Sequence, residues 1–298
     1  MEYLSIAEIA KKWGLSERSV RNYCAEGRVD GARLVGKTWF VPESAERPSR
    51  KTRVIHTDNA LLSRLLEEKS VGLKGGIYHK TQVELTYNSN HIEGSKLTAE
   101  QTRFIYETNT IGIEGESVNV DDIIETTNHF RCIDYVLETI GEPLNAKVIK
   151  ELHRTLKSST SDSKKSWFVV GDYKKLANEV GDRETTPPEM VESEINKLID
   201  KYNTLEKITL QDIVSFHRDF ELIHPFQDGN GRVGRLIMFR ECLRNGITPF
   251  IIDEEHRLFY YRGLSEWHRE QGYLIDTCLS AQDKYKKWLD YFGIPYND

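Results

Sequence analysis

Residues 224–235 read His-Pro-Phe-Gln-Asp-Gly-Asn-Gly-Arg-Val-Gly-Arg and lie between two stretches whose apolar residues recur at helical spacing. One helix therefore ends here, the chain bends tightly, and another helix begins. Gly229 and Gly231 lack Cβ atoms, so the backbone can turn sharply and aim its N–H groups at an anion. Arg232 and Arg235 are three apart at the start of the second helix. They share a face beside the positive end of its dipole. His224 can exchange a proton near neutral pH, since a free imidazole titrates at about 6.5. Asp228 offers the hard oxygen that Mg²⁺ takes alongside substrate phosphates. A Gly-rich helix–helix turn accounts for Gly-Asn-Gly alone. The His, the Asp and both arginines in register point to phosphate chemistry.

These residues match the H-P-F-x-[D/E]-G-N-G-R-x-x-R signature of Fic domains, and the segment resembles that family of nucleotidyl transferases known for AMPylation. Each defining position is filled, by His224, Pro225, Phe226, Asp228, Gly229, Asn230, Gly231, Arg232 and Arg235. The resemblance implies that His224 is general base toward a Ser, Thr or Tyr hydroxyl of a target protein. It implies that Asp228 holds the Mg²⁺ bridging the phosphates of ATP, and that Gly229, Asn230 and Gly231 form an anion hole. Arg232 and Arg235 would bind the outer phosphates, and Phe226 would pack inward to fix the loop. Such transfer depends mostly on positioning and electrostatic stabilisation.

Two further stretches resemble the same family. Residues 89–94, Ser-Asn-His-Ile-Glu-Gly, are similar to its inhibitory motif [S/T]-x-x-x-E-[G/N]. Ser89 and Glu93 are four apart, on one helical face, and Gly94 is placed to end that helix in a left-handed conformation. The resemblance implies that Glu93 pairs with Arg235 and removes a ligand for the γ-phosphate. Residues 171–188 resemble the family's β-hairpin flap, which aligns a target segment by strand addition. Lys174 stands where the family's G-x-Y-R pattern has Arg; it keeps the charge and loses the planar fork. That departure bears on target docking rather than on the chemistry.

The chain has 298 residues, enough for two domains, and its charge is unevenly spread. Residues 1–53 hold eleven Lys/Arg and seven Asp/Glu, a net of +4. The remainder holds 41 − 11 = 30 basic and 47 − 7 = 40 acidic residues, a net of −10. In the basic head, Ser5 caps a first helix with Glu8 three residues on, and Ser16 caps a second that turns Val20, Tyr23 and Cys24 inward. Residues 33–41 alternate around Gly36-Lys37 like a small hairpin. This pattern resembles the winged helix-turn-helix of excisionase- and MerR-like proteins, with Arg18, Arg21 and Lys37 as DNA contacts. A protein–protein adaptor can share the topology. Because +4 is modest for DNA work, a homodimer is a natural partner arrangement.

Residues 1–46 are thus expected to form the head, 47–76 a linker and connecting helix, and 77–298 a mainly helical Fic fold with one short β-hairpin. Helices are predicted over about 98–109, 120–139, 145–157, 188–204, 209–223, 231–245 and 256–292, the last breaking near Gly272. Cys24, Cys132, Cys242 and Cys278 show no paired spacing and read as small apolar fillers, which suits a reducing cytoplasm. No apolar run reaches bilayer-spanning length, so no membrane partner is expected. His217 and His153 read as buried hydrogen-bonding or core residues. Tyr260, Tyr261 and Trp267 read as core rather than an adenine sandwich. The expected activity is AMP transfer from ATP to a protein hydroxyl, restrained by Glu93. The alternatives are another donor or direction (other nucleotidyl transfer, phosphoryl transfer, removal of AMP) and a DNA-binding regulator that uses the pocket to sense nucleotide.

Overall fold

The computed structural model describes residues 3–25, 28–36, 38–48, 59–112, 117–181 and 183–296. The chain forms two compact units, residues 1–53 and 54–298.

The first unit runs β1 (Tyr3–Ser5), α1 (Ile6–Trp13), α2 (Glu17–Ala25), β2 (Arg33–Val35) and β3 (Thr38–Pro42). Ser5 and Glu8 close a reciprocal capping box on α1, and Gly14 ends the helix in the left-handed region at φ 65°. The Ser16 hydroxyl accepts from the Ser19 N–H at 3.2 Å at the start of α2. β3 pairs antiparallel with both β1 and β2, giving the order β1-β3-β2. The expected hairpin is β2–β3. The three-residue β1 was not legible, because so short a strand carries no periodicity. Ile6, Ile9, Trp13, Val20, Cys24, Val29 and Val41 form this unit's own core. Val41 and Pro42, at the end of the hairpin, are both buried.

The second unit comprises α3 (Ala60–Val71), α4 (Ile77–Ile92), α5 (Ala99–Thr108), α6 (Val120–Glu138), α7 (Ala146–Lys157), a 3₁₀ turn (Asp162–Lys164), β4 (Glu179–Val180), β5 (Arg183–Glu184), α8 (Pro188–Asn203), α9 (Leu210–Ile223), α10 (Asn230–Arg244), α11 (Glu254–Ser265) and α12 (Gly272–Phe292). β4 and β5 pair as a minimal hairpin, both strands exposed. The sequence reading made α3 a connecting helix; instead Leu61, Leu62 and Leu65 are buried in the main core. Their spacing places them on one face, and that face has core to cover.

At the centre lies α10, buried on all sides and packed by α4, α6, α7 and α9. Arg240 pairs with Glu241 and donates to the carbonyls of Thr139 and Glu142, the latter at 2.6 Å. A buried central helix gives the loop before it a fixed platform. Helix α4 starts at Gly76, where a Cβ would fall 2.2 Å from the Glu68 carboxylate. That carboxylate accepts the Tyr78 N–H at 2.8 Å, so α3 caps the helix that carries Glu93. The long C-terminal helical pattern does break, into α11 and α12. The pair approach closely at Gly263, where a Cβ would sit 2.6 Å from the Leu274 Cα.

Candidate active site

The site is built on the α9–α10 connection. His224 ends α9 in the left-handed region (φ 51°, ψ 62°), its N–H donating to the Phe220 carbonyl at 2.9 Å. A non-glycine residue in that region costs on the order of 1–2 kcal/mol, and such outliers concentrate at functional sites. Phe226 is fully buried and stacks on His153 with ring centroids 3.9 Å apart and planes 4° from parallel. His153 in turn accepts the Gly171 N–H at 3.0 Å, so this core histidine joins the signature loop to the strand approach of the hairpin. Asn230 closes the loop from the other side. Its Oδ1 accepts the Phe226 N–H at 2.8 Å and its Nδ2 donates to the Phe226 carbonyl at 2.9 Å.

That pairing refines one expectation. The Asn230 side chain is spent on the loop itself, so an anion here meets backbone N–H groups and not the Asn230 amide. Gly229 caps α10 with φ 81°, a conformation that favours glycine, and no side chain caps the helix. The first-turn amides of α10 and its dipole are therefore directed at the space before it.

A carboxylate lies beside the first turn of α10. Glu93 caps α4 and Gly94 follows at φ 97°, in the left-handed region as the motif requires. Glu93 Oε1 accepts from Arg235 Nη2 at 2.7 Å. The same oxygen lies 2.2 Å from where a Cβ on residue 231 would be, so glycine at 231 is what lets it approach α10. Arg235 is further held by Ser89, donating to its carbonyl at 2.8 Å and its hydroxyl at 3.1 Å. Arg235 thus forms one cluster with Ser89 and Glu93, which lie 146 and 142 residues away in sequence.

Arg232 points to a second cluster that local motif reading missed. Its Nη1 pairs with Glu125 Oε2, and its Nη2 lies 3.3 Å from Asp228 Oδ2. Lys157 Nζ binds Asp228 Oδ2 at 2.6 Å, Glu125 Oε1 at 2.5 Å and Asp162 Oδ2 at 3.1 Å. The sequence holds a trace of this. On α7, Lys157 follows Ile149 and His153 at spacings of four, which places a lysine on a buried stripe.

The electrostatics follow from burial. Burial, with Lys174 nearby, pushes His224 down to about 4, so the imidazole is neutral at pH 7 with its lone pair unprotonated, and a weaker base than a free imidazole. Burial acts to raise Asp228, but Arg232 and Lys157 beside it bring the carboxyl down to about 2. Glu221 is pushed up to about 8 by burial and by the neighbouring Glu93. Lys174, buried and lowered by burial to about 8, donates to Asn178 at 2.7 Å and to Thr185 at 2.6 Å. Its N–H binds the Pro225 carbonyl at 2.9 Å. The lysine that replaces the expected Arg therefore ties the hairpin's base to the signature loop.

Among the described residues, no group of three His, Cys, Asp or Glu side chains is arranged to hold a metal ion. Mg²⁺ fits Asp228 on other grounds. This hard carboxylate is half exposed, and Mg²⁺ typically takes one or two carboxylates and completes its shell with water and phosphate. His217 is buried and shares a hydrogen bond with the Tyr260 hydroxyl at 2.7 Å, as the core role requires. Trp267 and Tyr260 are in the core as expected, but Tyr261 is not: it is exposed on the next position of α11, its hydroxyl donating to the Ile92 carbonyl at 3.3 Å. All four cysteines are buried and free. In the first unit, the exposed Arg21 pairs with Glu17 at 2.6 Å. Lys37 and the Arg18 side chain lie outside the described residues.

The Fic/DOC family pattern matches residues 143–242, which span α7 to most of α10. A protein adenylyltransferase Fic of Nematostella vectensis is 29% identical over 184 residues, covering 60% of this chain and 42% of that protein. One from Aedes aegypti is 27% identical over 183 residues, covering 60% and 36%. The chain thus spans less than half the length of these relatives. A Fic domain-containing signalling protein of Bacteroides thetaiotaomicron superposes with a TM-score of 0.58 at 24% identity, covering 77% of this chain and 90% of that one. Fic-1 of Caenorhabditis elegans gives 0.60 at 20% identity, with 79% and 72% covered. The helical unit has the Fic fold.

Proposed function

We propose that this chain transfers the AMP moiety of ATP to a Ser, Thr or Tyr hydroxyl of a protein, and that Glu93 restrains it. One observation carries the reading. A neutral imidazole on a left-handed turn stands at the uncapped N-terminus of a helix that carries Arg235, and the Glu93 carboxylate occupies that guanidinium. The names of the matching relatives agree with it.

In this reading His224 accepts the hydroxyl proton as the oxygen attacks the α-phosphorus. The bond from that phosphorus to the bridging oxygen of the β-phosphate breaks, and pyrophosphate leaves. Amides at the start of α10 take the charge of the non-bridging oxygens. Arg232 and Arg235 take the outer phosphates once their carboxylate partners give way. Asp228 would hold Mg²⁺, whose contribution when bound is to neutralise phosphate charge. The exposed β4–β5 hairpin, anchored through Lys174, would align the target by main-chain hydrogen bonds. ATP labelled at the α position should mark protein, and ATP labelled at the γ position should not. Label from γ alone would replace AMP transfer with phosphoryl transfer.

For the first unit we propose a winged helix-turn-helix that binds DNA through α2 and the β2–β3 wing. Its strand–helix–helix–hairpin order and net charge of +4 support this. Loss of binding to randomised duplex on raising salt from 50 to 200 mM is the expected sign. Absence of binding at low salt leaves the adaptor reading.

A further inference from the structure

We propose that Lys157 is a built-in counter-cation of Asp228, which keeps divalent metal off this carboxylate until a nucleotide brings the metal in. The inference rests on the reading of Asp228 as the Mg²⁺ ligand. It arises from a feature that the transfer chemistry does not use.

Three carboxylates converge on one point, and that point is filled by an ammonium. Lys157 is 2% exposed, and its Nζ lies 2.5 Å from Glu125, 2.6 Å from Asp228 and 3.1 Å from Asp162. An ammonium has three N–H donors, and these partners use all of them. Arg232 adds a second cation shared by Glu125 and Asp228, and Lys165 pairs with Asp162 at 2.6 Å. Three positive groups of the protein thus balance its three negative ones. A divalent ion approaching alone would meet an Asp228 already neutralised and would be repelled by Lys157.

The arrangement is also displaceable. The Asp228 side chain is 49% exposed, whereas Lys157 lies on its inner side. Metal can approach Asp228 from solvent while Lys157 keeps Glu125 and Asp162 as partners. The nucleotide's phosphates tip the exchange, because their oxygens add to the metal's shell and draw Arg232 away from Glu125. Glu125 then keeps Lys157, shared with Asp162, as its cation. Metal binding and nucleotide binding become coupled, each favouring the other.

The test is Mn²⁺ uptake by the full chain without nucleotide, read as loss of the free-ion electron paramagnetic resonance signal. Lys157→Met should bind Mn²⁺ at least about tenfold more tightly than the unaltered protein, since a repelling charge is gone. Adding Asp228→Asn should abolish the gain. Equal titrations of Lys157→Met and the unaltered protein, with cooperative melting in both, would overturn the proposal and leave AMP transfer untouched. A gain that persists with Asp228→Asn would overturn both the proposal and Asp228 as ligand. Should the buried substitution prevent folding, the ¹⁵Nζ resonance of Lys157 in the unaltered chain decides the matter. It should hold its position with Mg²⁺ alone and shift with Mg²⁺ plus ADP; a shift with Mg²⁺ alone contradicts the proposal.

Discussion

Replacing Glu93 by glycine removes the carboxylate beside the first turn of α10 and leaves Arg235 held by Ser89 and against the Tyr260 ring. The Ser89 contacts, at 2.8 and 3.1 Å, keep the guanidinium in place for an incoming phosphate. A hydrogen bond to a charged group contributes about 1.5–3 kcal/mol when buried. Glu93 is 30% exposed and Arg235 only 4%, so solvent reduces the contact to about 1–2 kcal/mol. At about 1.4 kcal/mol per factor of ten, freeing Arg235 should tighten ATP about 5- to 30-fold. ADP lacks the γ-phosphate and should change less than about twofold on the same scale. Glu93→Gln keeps the bulk beside Gly231 while losing the charge, and should fall between. Calorimetric titration of both nucleotides against the three proteins, with AMP transfer measured in parallel, checks the order. Equal tightening of ATP and ADP, or no change in either, would refute the pairing as a brake on the γ-phosphate.

Other outcomes follow from the same geometry. His224→Ala should lower transfer by about 10²–10⁴-fold while nucleotide affinity stays within about twofold, because general-base help acts on the step and not on binding. Phe226→Ala opens a cavity under the signature loop and against His153, and should cost about 3–5 kcal/mol in denaturant unfolding. Lys174→Ala should raise the KM for the protein target with little effect on ATP, as its side chain anchors the hairpin's base. Acid should destabilise the fold well above the carboxylate range. Burial holds His129, His153 and His217 near about 3 and His224 near about 4, all below the ordinary 6.5. The unfolded chain binds these protons first, so stability is lost as pH falls below about 6.5, each histidine withdrawing up to about 1.4 kcal/mol per pH unit. Glu221, raised to about 8, acts oppositely between 8 and its ordinary value, but it is one group against four. Melting temperatures at pH 7 and 5 test this; equal values would contradict it.

The sequence exposed those parts of the site that are local. His224 to Arg235 are contiguous, and a helix end, a glycine bend and a helix start each leave a mark within a few residues. The same holds for the capping box at Ser5 and Glu8 and for Gly94. Glu93 and Arg235 could be joined only through a resemblance, because nothing in the spacing of residues 142 apart implies contact. The Glu125–Lys157–Asp228 cluster went unseen for that reason, its partners being 32 and 71 residues apart. Asn230 shows a different limit. Its position in the motif was plain, but whether its amide faced an anion or the Phe226 backbone depended on how the loop closes. Helix α3 was legible as a helix, though not as part of the core, since its apolar face needed a partner to identify it.

The central claim is that the turn at His224 hands the AMP of ATP to a hydroxyl and that Glu93 holds it back. Intact mass of the Glu93→Gly protein after incubation with ATP and Mg²⁺, with a candidate target or as its own acceptor, tests this most directly. The account predicts a gain of one adenylyl unit that is absent in Glu93→Gly/His224→Ala. A protein of unchanged mass that nonetheless binds ATP, or a gain that survives loss of His224, would contradict it.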